Sequence, residues 1–483
     1  MKRLLPSSVI AVLCLVQFVD VLGVTEVLTA APRMLRSLGA GAGAASAVLT
    51  SYAMCFGGLL MVGARLGDRF GHRRVLLGGI ALFAAGSLCA AVAGSAAVLI
   101  AGRCLQGAAA AISVPASLRL LIAATPDAAG RRAAMSAWSA AGATAGAGGF
   151  AVGGALTQLA GWRVMFWVNL PLAALIAAGV VRAVAPPHSP AIPAGPTATP
   201  PRDAPALGLD LPGGLLFSAG VAGLVLGASL LQPPSRAALG LAVVGAGAVL
   251  LGATAWVERR ARDPLIPGQA LHLPALRTGA GAAFLNTATT SSVAAVATLD
   301  LQRAQHLSAA GAGLRLLPLS VGAIVGSSLA AAVLRRVPGP RAIALGLSLI
   351  GAADAGLIGL HRAGWLMSVP IAAAGAGLGV SSVAANASGT DVGASVQAAA
   401  AGALNTAAQL GTALGVAAVL LLSAATDHAA LPLRGPTLGW AGAALIALAG
   451  AAVIGRGRSR PAVSDQSSTA LLPTRGRPAR ASR

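Results

Sequence analysis

Gly63-Ala64-Arg65-Leu66-Gly67-Asp68-Arg69-Phe70-Gly71-His72-Arg73-Arg74 is the stretch on which the fold turns. It concentrates charge in a chain whose charged residues make up only 10% of the total. Its glycines allow a sharp turn, its cations hold that turn on one side of a barrier, and the lone Asp68 can lock onto a neighbouring cation. Long apolar runs flank it, and similar runs of about 20 residues, the length a bilayer core demands, recur along the chain. The composition agrees, with 56% hydrophobic residues and a mean hydropathy of +0.80. Only helices and closed barrels satisfy every backbone polar group in lipid, and barrel strands alternate polar with apolar residues. These runs do not alternate. The sequence therefore predicts an all-α integral membrane protein.

Working outward from this loop, the apolar runs place spans at 7–31, 44–64, 75–95, 97–122, 133–157, 164–185, 209–231, 237–257, 276–299, 310–334, 342–360, 364–385, 395–423 and 437–455. That is fourteen transmembrane helices, and an even number puts both termini on one side. With the N-terminus inside, inner segments hold Lys2, Arg3, the arginines of 65–74, Arg119, Arg131, Arg132, Arg182, Arg202, Arg259, Arg260, Arg262, Arg277, Arg335, Arg336, Arg341 and the tail arginines. Outer segments hold Arg33, Arg36, Arg163, Arg236, Arg303, Arg315, Arg362 and Arg434. The bias of roughly three to one predicts cytoplasmic N- and C-termini in a multi-pass protein of the cell membrane. The segment 386–394 carries Asp391 and no arginine, so it adds nothing to that assignment. Lys2 and Arg3 ahead of an apolar run look like a signal peptide, but the run reaches about Ala31, longer than an h-region, and contains Asp20 and Glu26.

Abundant small residues, 63 glycines among them, suit close helix packing in lipid. The net charge of +21 lacks aromatic interleaving and is scattered between spans, so topology explains it and nucleic acid is not an expected partner. Cys14, Cys55, Cys89 and Cys104 lie in apolar runs, with neither metal-ligand nor disulfide spacing. No phosphate-binding loop and no nucleophile motif is present, so the chain does not read as an enzyme or an ATP-driven pump, and no cofactor or metal is expected. Residues 186–208, rich in Pro and Ala, read as a cytoplasmic linker. The tail 456–483 reads as disordered and basic, either satisfying topology or lying against anionic lipid.

Several motifs carry a resemblance. The 64–74 loop resembles the signature between the second and third spans of the major facilitator superfamily at Leu66, Asp68, Arg69, Gly71 and Arg73. Ala64 stands where the family has its first glycine, and His72 where it often has arginine. Arg103-Cys104-Leu105-Gln106-Gly107 resembles the family's fourth-span R-x-x-Q-G. An arginine inside the bilayer is costly unless it faces a polar cavity or snorkels to the headgroups. Gly142, Gly146, Gly149, Gly153 and Gly154 in span five resemble the antiporter signature G-P-x-x-G-G, with Phe150 in place of the proline. The first four, three or four residues apart, leave one helical face without side chains, which close packing alone also explains. Trp162-Arg163-Val164-Met165-Phe166-Trp167-Val168-Asn169-Leu170-Pro171 resembles the start of span six in the fourteen-span drug:proton antiporter branch, where its role is structural. Glu258 to Pro264 matches a further landmark of that branch.

The resemblance implies a major facilitator fold. An N-terminal six-helix bundle would occupy 1–185, two inserted transmembrane helices 209–257 and a C-terminal six-helix bundle 258–455. The bundles would be related by a pseudo-twofold axis around a midplane cavity. It implies that Asp68 caps a helix or pairs with a cation across the bundle in the outward-open state, a lock whose release lets the halves rock, and that Arg103 tunes a nearby acid. The acids available are Asp20 and Glu26 in span one. Six residues of helix turn about 600°, which leaves them about 120° apart. The family's usual acid position here is Gly23, with Asp20 one turn earlier. Carboxyls shut away from water hold protons near neutral pH, so one or both can couple transport to protons; the alternative is an acid paired with arginine for packing. Asp354 is a third candidate, read as lying near the outer surface, and Asp300 is read as a loop residue. Asn286, Asn386, Gln397, Asn405 and Gln409 are candidates for the second half's cavity.

The function implied is proton-coupled efflux of an amphipathic drug or secondary metabolite, driven by the proton gradient. Its partners would be a small lipophilic substrate, protons and membrane lipid, and the chain would act as a monomer. Symport or facilitated uptake of a small metabolite is one alternative. A non-transporting membrane receptor is another, for which an arginine in span four has little use.

Overall fold

The computed structural model describes residues 6–41, 43–125, 127–183, 211–231, 234–260, 273–392, 394–424 and 435–456. The 186–208 linker, residues 457–483 of the tail and residues 261–264 of the landmark after span eight lie outside the described residues, as does the side chain of Gln397.

The described chain is helical throughout. In order the helices are α1 (Pro6–Ser37), α2 (Gly43–Phe70), α3 (His72–Ala91), α4 (Ala96–Ala123), α5 (Ala128–Leu159), α6 (Arg163–Ala183) and α7 (Leu211–Leu230). They continue as α8 (Ala237–Glu258), α9 (Pro274–Leu299), α10 (Ala309–Arg336), α11 (Gly339–Leu360), α12 (Ser368–Gly389), α13 (Ala394–Ala424) and α14 (Pro436–Gly455). Side-chain caps start several of them by accepting from orphan N–H groups. Asp127 accepts from Gly130 N at 2.6 Å, and Ser308 from Gly311 N at 3.0 Å. Eleven helices are long and apolar enough to cross a membrane, and α2, bent by 51° between Leu60 and Val62, makes a twelfth. Of α7, the apolar stretch Gly213–Ala228 is shorter than that measure requires. α5, rich in Gly, Ala and Ser, is not among those that meet it.

Two expectations are corrected here. The 63–74 stretch is not a loop: α2 continues through Phe70, and the turn is Gly71 alone, at φ +89°. Only glycine adopts that φ without strain, so one residue suffices to reverse the chain. Asp300 is likewise not in a loop but in a π-helical turn, Asp300–Ala304, where it is buried and accepts from Gln305 Nε2 at 2.7 Å.

The helices pair in a repeating pattern. α3 packs on α4 and α6, α2 on α4, and α1 on α5. Eight helices further on, α11 packs on α12 and α14, α10 on α12, and α9 on α13. The first six and last six helices therefore share one packing scheme. The two sets meet through α5 on α10 and α2 on α13, contacts that exchange under the same shift of eight, as a twofold relation requires. α7 lies against α2 and α13, at a seam between the sets, and α8 packs on α7. Leu241 and Val249 of α8 are exposed, as a lipid-facing surface would be.

The core is not symmetric along the helix axes. Short connections make neighbours antiparallel, so one end of the bundle carries Ser37 and the other carries Gly71. At the Ser37 end a single apolar cluster draws on both sets: Val27 to Leu35, Val48 and Phe150 meet Val293 to Leu301, Ala312, Leu316 and Leu420. Toward the Gly71 end one cluster lies around Tyr52, Phe56, Leu76 and Leu121 and another around Ile343, Leu347 and Ala447, while a smaller cluster at the α7 seam joins Ala53 to Ala413 and Ala417. Hydrogen bonds between the sets follow the apolar seal. Gln302 Nε2 donates to the Thr29 carbonyl at 2.6 Å, and Ser320 Oγ to the Gly146 carbonyl at 2.8 Å. The two sets are thus clamped together at the Ser37 end.

Candidate functional site

Helices α1, α2 and α4 bring the expected charged residues together in the interior of the first set. Asp20 is 6% exposed, Glu26 2% and Arg103 1%. None of them is turned toward lipid. Arg103 Nη1 donates to the Gly23 carbonyl at 2.9 Å and to Gln106 Oε1 at 3.0 Å. Gln106 Nε2 in turn donates to Ser87 Oγ of α3 at 2.8 Å. The R-x-x-Q spacing is thus a one-turn arrangement in which the amide, fixed from behind by Ser87, aims the guanidinium at α1.

Tyr52 of α2 completes the arrangement, and sequence reasoning missed it. Its hydroxyl donates to Asp20 Oδ1, and its ring lies 4.6 Å from the Arg103 guanidinium carbon, in cation–π contact. Gly107 makes this possible: a methyl group there would lie 2.2 Å from the Tyr52 carbonyl oxygen. The signal available in the sequence was that Tyr52 is the chain's one tyrosine, set in an apolar span.

Neither acid lies within the 4.0 Å of an ion pair with Arg103. Asp20 is held by Tyr52, while Glu26 Oε1 and Arg103 Nε are buried without a hydrogen-bond partner among the described residues. A buried charge is costly unless paired, so the set has spare capacity for a proton or a ligand group. A small cavity of about 30 Å³ adjoins Asp20, lined by Val16, Val19, Phe83, Ser113 and Ile176, with room for a water or two. It lies within the first set of helices, not between the two.

The glycine stripe of α5 faces α1, directly behind these acids. Gly142 lies beside Gln17, Gly146 beside Val21, Gly149 against Thr25 and Gly153 against the Glu26 backbone. A methyl group at Gly153 would stand 2.5 Å from the Glu26 carbonyl oxygen. Gly154 points elsewhere, onto Ala309 of α10, and Phe150 packs against Gly313 of the same helix. α5 thus joins the acids on one face to the second set of helices on the other.

The Asp68 region is separate. Leu66, Arg69 and Arg73 lie with it at the Gly71 end, and Asp68 Oδ1 is 3.4 Å from His72 Nε2 within the same segment. A methyl at Gly67 would lie 2.4 Å from His72 Nδ1, so this glycine seats the imidazole. The 162–171 motif is structural, as expected. Trp162 Nε1 donates to Ser37 Oγ at 2.8 Å, and Arg163 donates to the Ala93 carbonyl at 2.7 Å. In the second half Asn286 is buried and bonds Ser382 Oγ at 3.5 Å, whereas Asn386 and Asn405 are exposed. Asp354, expected near the outer surface, is fully buried.

Residues 13–416 match the Major Facilitator Superfamily. The chain belongs to that family. Its curated relatives include the lincomycin resistance protein of Streptomyces lincolnensis, 34% identical over 70% of this chain and 67% of that one. The cephamycin export protein CmcT of Amycolatopsis lactamdurans is 32% identical over 86% of this chain and 85% of that one. The fold is that of a peptide transporter POT solved in complex with sulfate, with a TM-score of 0.66 at 16% identity, over 92% of this chain and 93% of that one. This major facilitator protein is therefore a multi-pass membrane transporter by family, with an all-helical fold.

Proposed function

We propose that this transporter exports an amphipathic drug or secondary metabolite from the cytoplasm in exchange for protons, as a fourteen-span antiporter working by alternating access. The observation that carries the reading is the buried set of Asp20, Glu26, Tyr52 and Arg103. It holds two carboxyls beside one arginine without pairing either to it. Relatives named for antibiotic resistance and export support the cargo class. The arginine distribution puts the Gly71 end and both termini in the cytoplasm. In this reading the clamped Ser37 end serves as the outer gate of an inward-facing state. Asp68, bonded within its own segment here, would exchange His72 for a cation across the bundle when the outer end opens.

The cycle follows from the chemistry of the set. A proton on Asp20 or Glu26 removes a charge from the interior and frees Arg103 from one of two competing carboxylates. Loss of that proton restores the pull of the carboxylate on Arg103, and with it on Gly23 of α1. Because α5 grips α1 at Gly149 and Gly153 and grips α10 through Phe150 and Gly154, a shift of α1 reaches the contact between the sets. Proton and substrate, favouring opposite states, exchange across the membrane.

Everted vesicles carrying the protein test this with lincomycin, puromycin and ethidium under an imposed pH gradient. Wild-type protein accumulates at least one of these against its gradient, and a protonophore abolishes the accumulation. The Asp20→Asn, Glu26→Gln double variant, expressed to the same level, loses gradient-driven accumulation. Wild-type rates in that variant would overturn the assignment. Symport or facilitated diffusion is the competing reading, favoured by Phe150 in place of the antiporter proline. It gives flux down the proton gradient or flux indifferent to it.

A further inference from the structure

Asp354 stands outside the site described so far. It lies on α11, six residues before Leu360, or about 9 Å from the Ser37 end of that helix. Its relative exposure is 0%, and neither carboxyl oxygen has a hydrogen-bond partner among the described residues. Its neighbours along the helix, Ala353 and Leu357, belong to the apolar cluster that clamps the two sets of helices together.

No charge faces it. The helices packed most closely on α11 are α12 and α14, and neither contains an Asp, Glu, Lys, Arg or His. The short turn Gly364–Met367 contains none either. α9 contributes Arg277, four residues into the opposite end, and the π-helical turn that follows it contributes Arg303 and the buried Asp300, which Gln305 Nε2 links to the His361 carbonyl. α10 contributes Arg335 and Arg336 at that same far end, and Arg315, which donates to the Gly364 carbonyl at 2.7 Å and covers Trp365. On α11 itself Arg341 is thirteen residues away, about 20 Å. His361 follows the helix, bonded to the Ile358 carbonyl and stacked 5.3 Å from the Trp440 ring. Toward the same end, Trp440 Nε1 and Ser368 Oγ are also buried without a partner among the described residues.

A carboxylate buried in an apolar layer, with neither a cation nor a donor beside it among the described residues, is not a tenable state for the interior, whereas the neutral acid is. We propose that Asp354 is a second proton-binding site, in the second half of the transporter, that couples closure of the Ser37 end to proton uptake from that side. When the end opens, the carboxylate meets water and exchanges its proton with the outer medium. A hydronium ion gives its proton to the carboxylate, leaving water and a neutral acid, and only then can the apolar layer reseal around it. In an exporter this is the step after cargo release, so outer acidity speeds the return to the inward-facing state. The proposal rests on the proton-coupled reading above.

Two measurements on the full-length protein test it. The first is labelling of wild-type protein in lipid by dicyclohexylcarbodiimide, which reacts with protonated carboxyls in apolar surroundings, with the adduct located by mass spectrometry. Asp354 should be labelled, and several-fold faster at pH 6 than at pH 9, since only the protonated carboxyl reacts. Absent or pH-independent labelling overturns the proposal. The second is ethidium export in everted vesicles with lumenal pH varied alone. The Asp354→Asn variant, permanently neutral, should still pump and keep the dependence that Asp20 and Glu26 confer, but with a clearly shallower response to lumenal pH than wild type, and an unchanged profile overturns the proposal. If the variant does not fold, the labelling decides. Failure of the coupling reading itself looks different: wild-type export then ignores the pH gradient altogether.

Discussion

Tyr52 sits where the buried Asp20 and Arg103 meet. Its hydroxyl serves Asp20 and its ring serves Arg103, so the two functions can be separated by substitution. Tyr52→Phe keeps the ring and deletes the donor. A hydrogen bond to a charged group is worth about 1.5–3 kcal/mol, which at the upper figure is roughly a hundredfold in an equilibrium. Gradient-driven export should fall by about tenfold or more in Tyr52→Phe, with unchanged expression and thermal stability within a few degrees, as measured in everted vesicles and by melting in detergent. Arg103, Gln106 and Gly107 were legible in the sequence because an intramembrane arginine demands an explanation and its helical spacing supplied one. Tyr52 was not, because a lone aromatic in an apolar run reads as packing, and its partner is 32 residues away. The burial of Asp354 was not readable for a related reason. Position along a span gives depth, but the rotational setting that buries a side chain depends on neighbours far off in sequence.

α5 shows how an element carries information between parts of the molecule. Its stripe was readable from spacing, since residues three and four apart share a face. The partner of that face, α1 at Thr25 and Glu26, was not readable, because many helices could present a surface flat enough to receive it. The opposite face, with Phe150 and Gly154 against α10, adds a large residue where the family signature has proline, and small ones across from it. These contacts predict a sharp contrast within one helix. Gly153→Val should abolish export and lower stability, since even the first carbon of its side chain would stand 2.5 Å from the Glu26 carbonyl oxygen. Gly148→Ala, five residues earlier with nothing within 4 Å, should be tolerated or mildly stabilising. Comparing expression, melting temperature and export for the two variants checks this. Similar behaviour would contradict the packing described for α5. The Gly71 turn was legible in kind but not in extent, because the arginines around it read as a solvated loop while their helix-forming tendency extends α2 to Phe70.

At the scale of the whole molecule, the repeated pairing of helices one to six and nine to fourteen supplies two similar bodies, and the apolar cluster at the Ser37 end joins them; the alternating access proposed above would use that cluster as one of its two closures. The apolar runs and the N-terminal motifs made an all-helical major facilitator fold readable, whereas the conformational state proposed above was not, since one sequence serves both states. The state has a direct consequence. Ala312, 0% exposed within the inter-set cluster, should be shielded in the resting protein. In a background lacking the native cysteines, Ala312→Cys should resist an outer, membrane-impermeant thiol reagent at rest and react during turnover, when the outer end opens. Rapid reaction at rest would place the closure elsewhere. The account as a whole stands on protons leaving the Asp20–Glu26–Arg103 set when cargo arrives. Proton release on adding a transported compound to purified protein, in weakly buffered detergent with a pH-indicator dye, measures that event itself. The account predicts release by wild-type protein and none by the Asp20→Asn, Glu26→Gln variant. Binding without release in the wild type, or equal release from both, would contradict it.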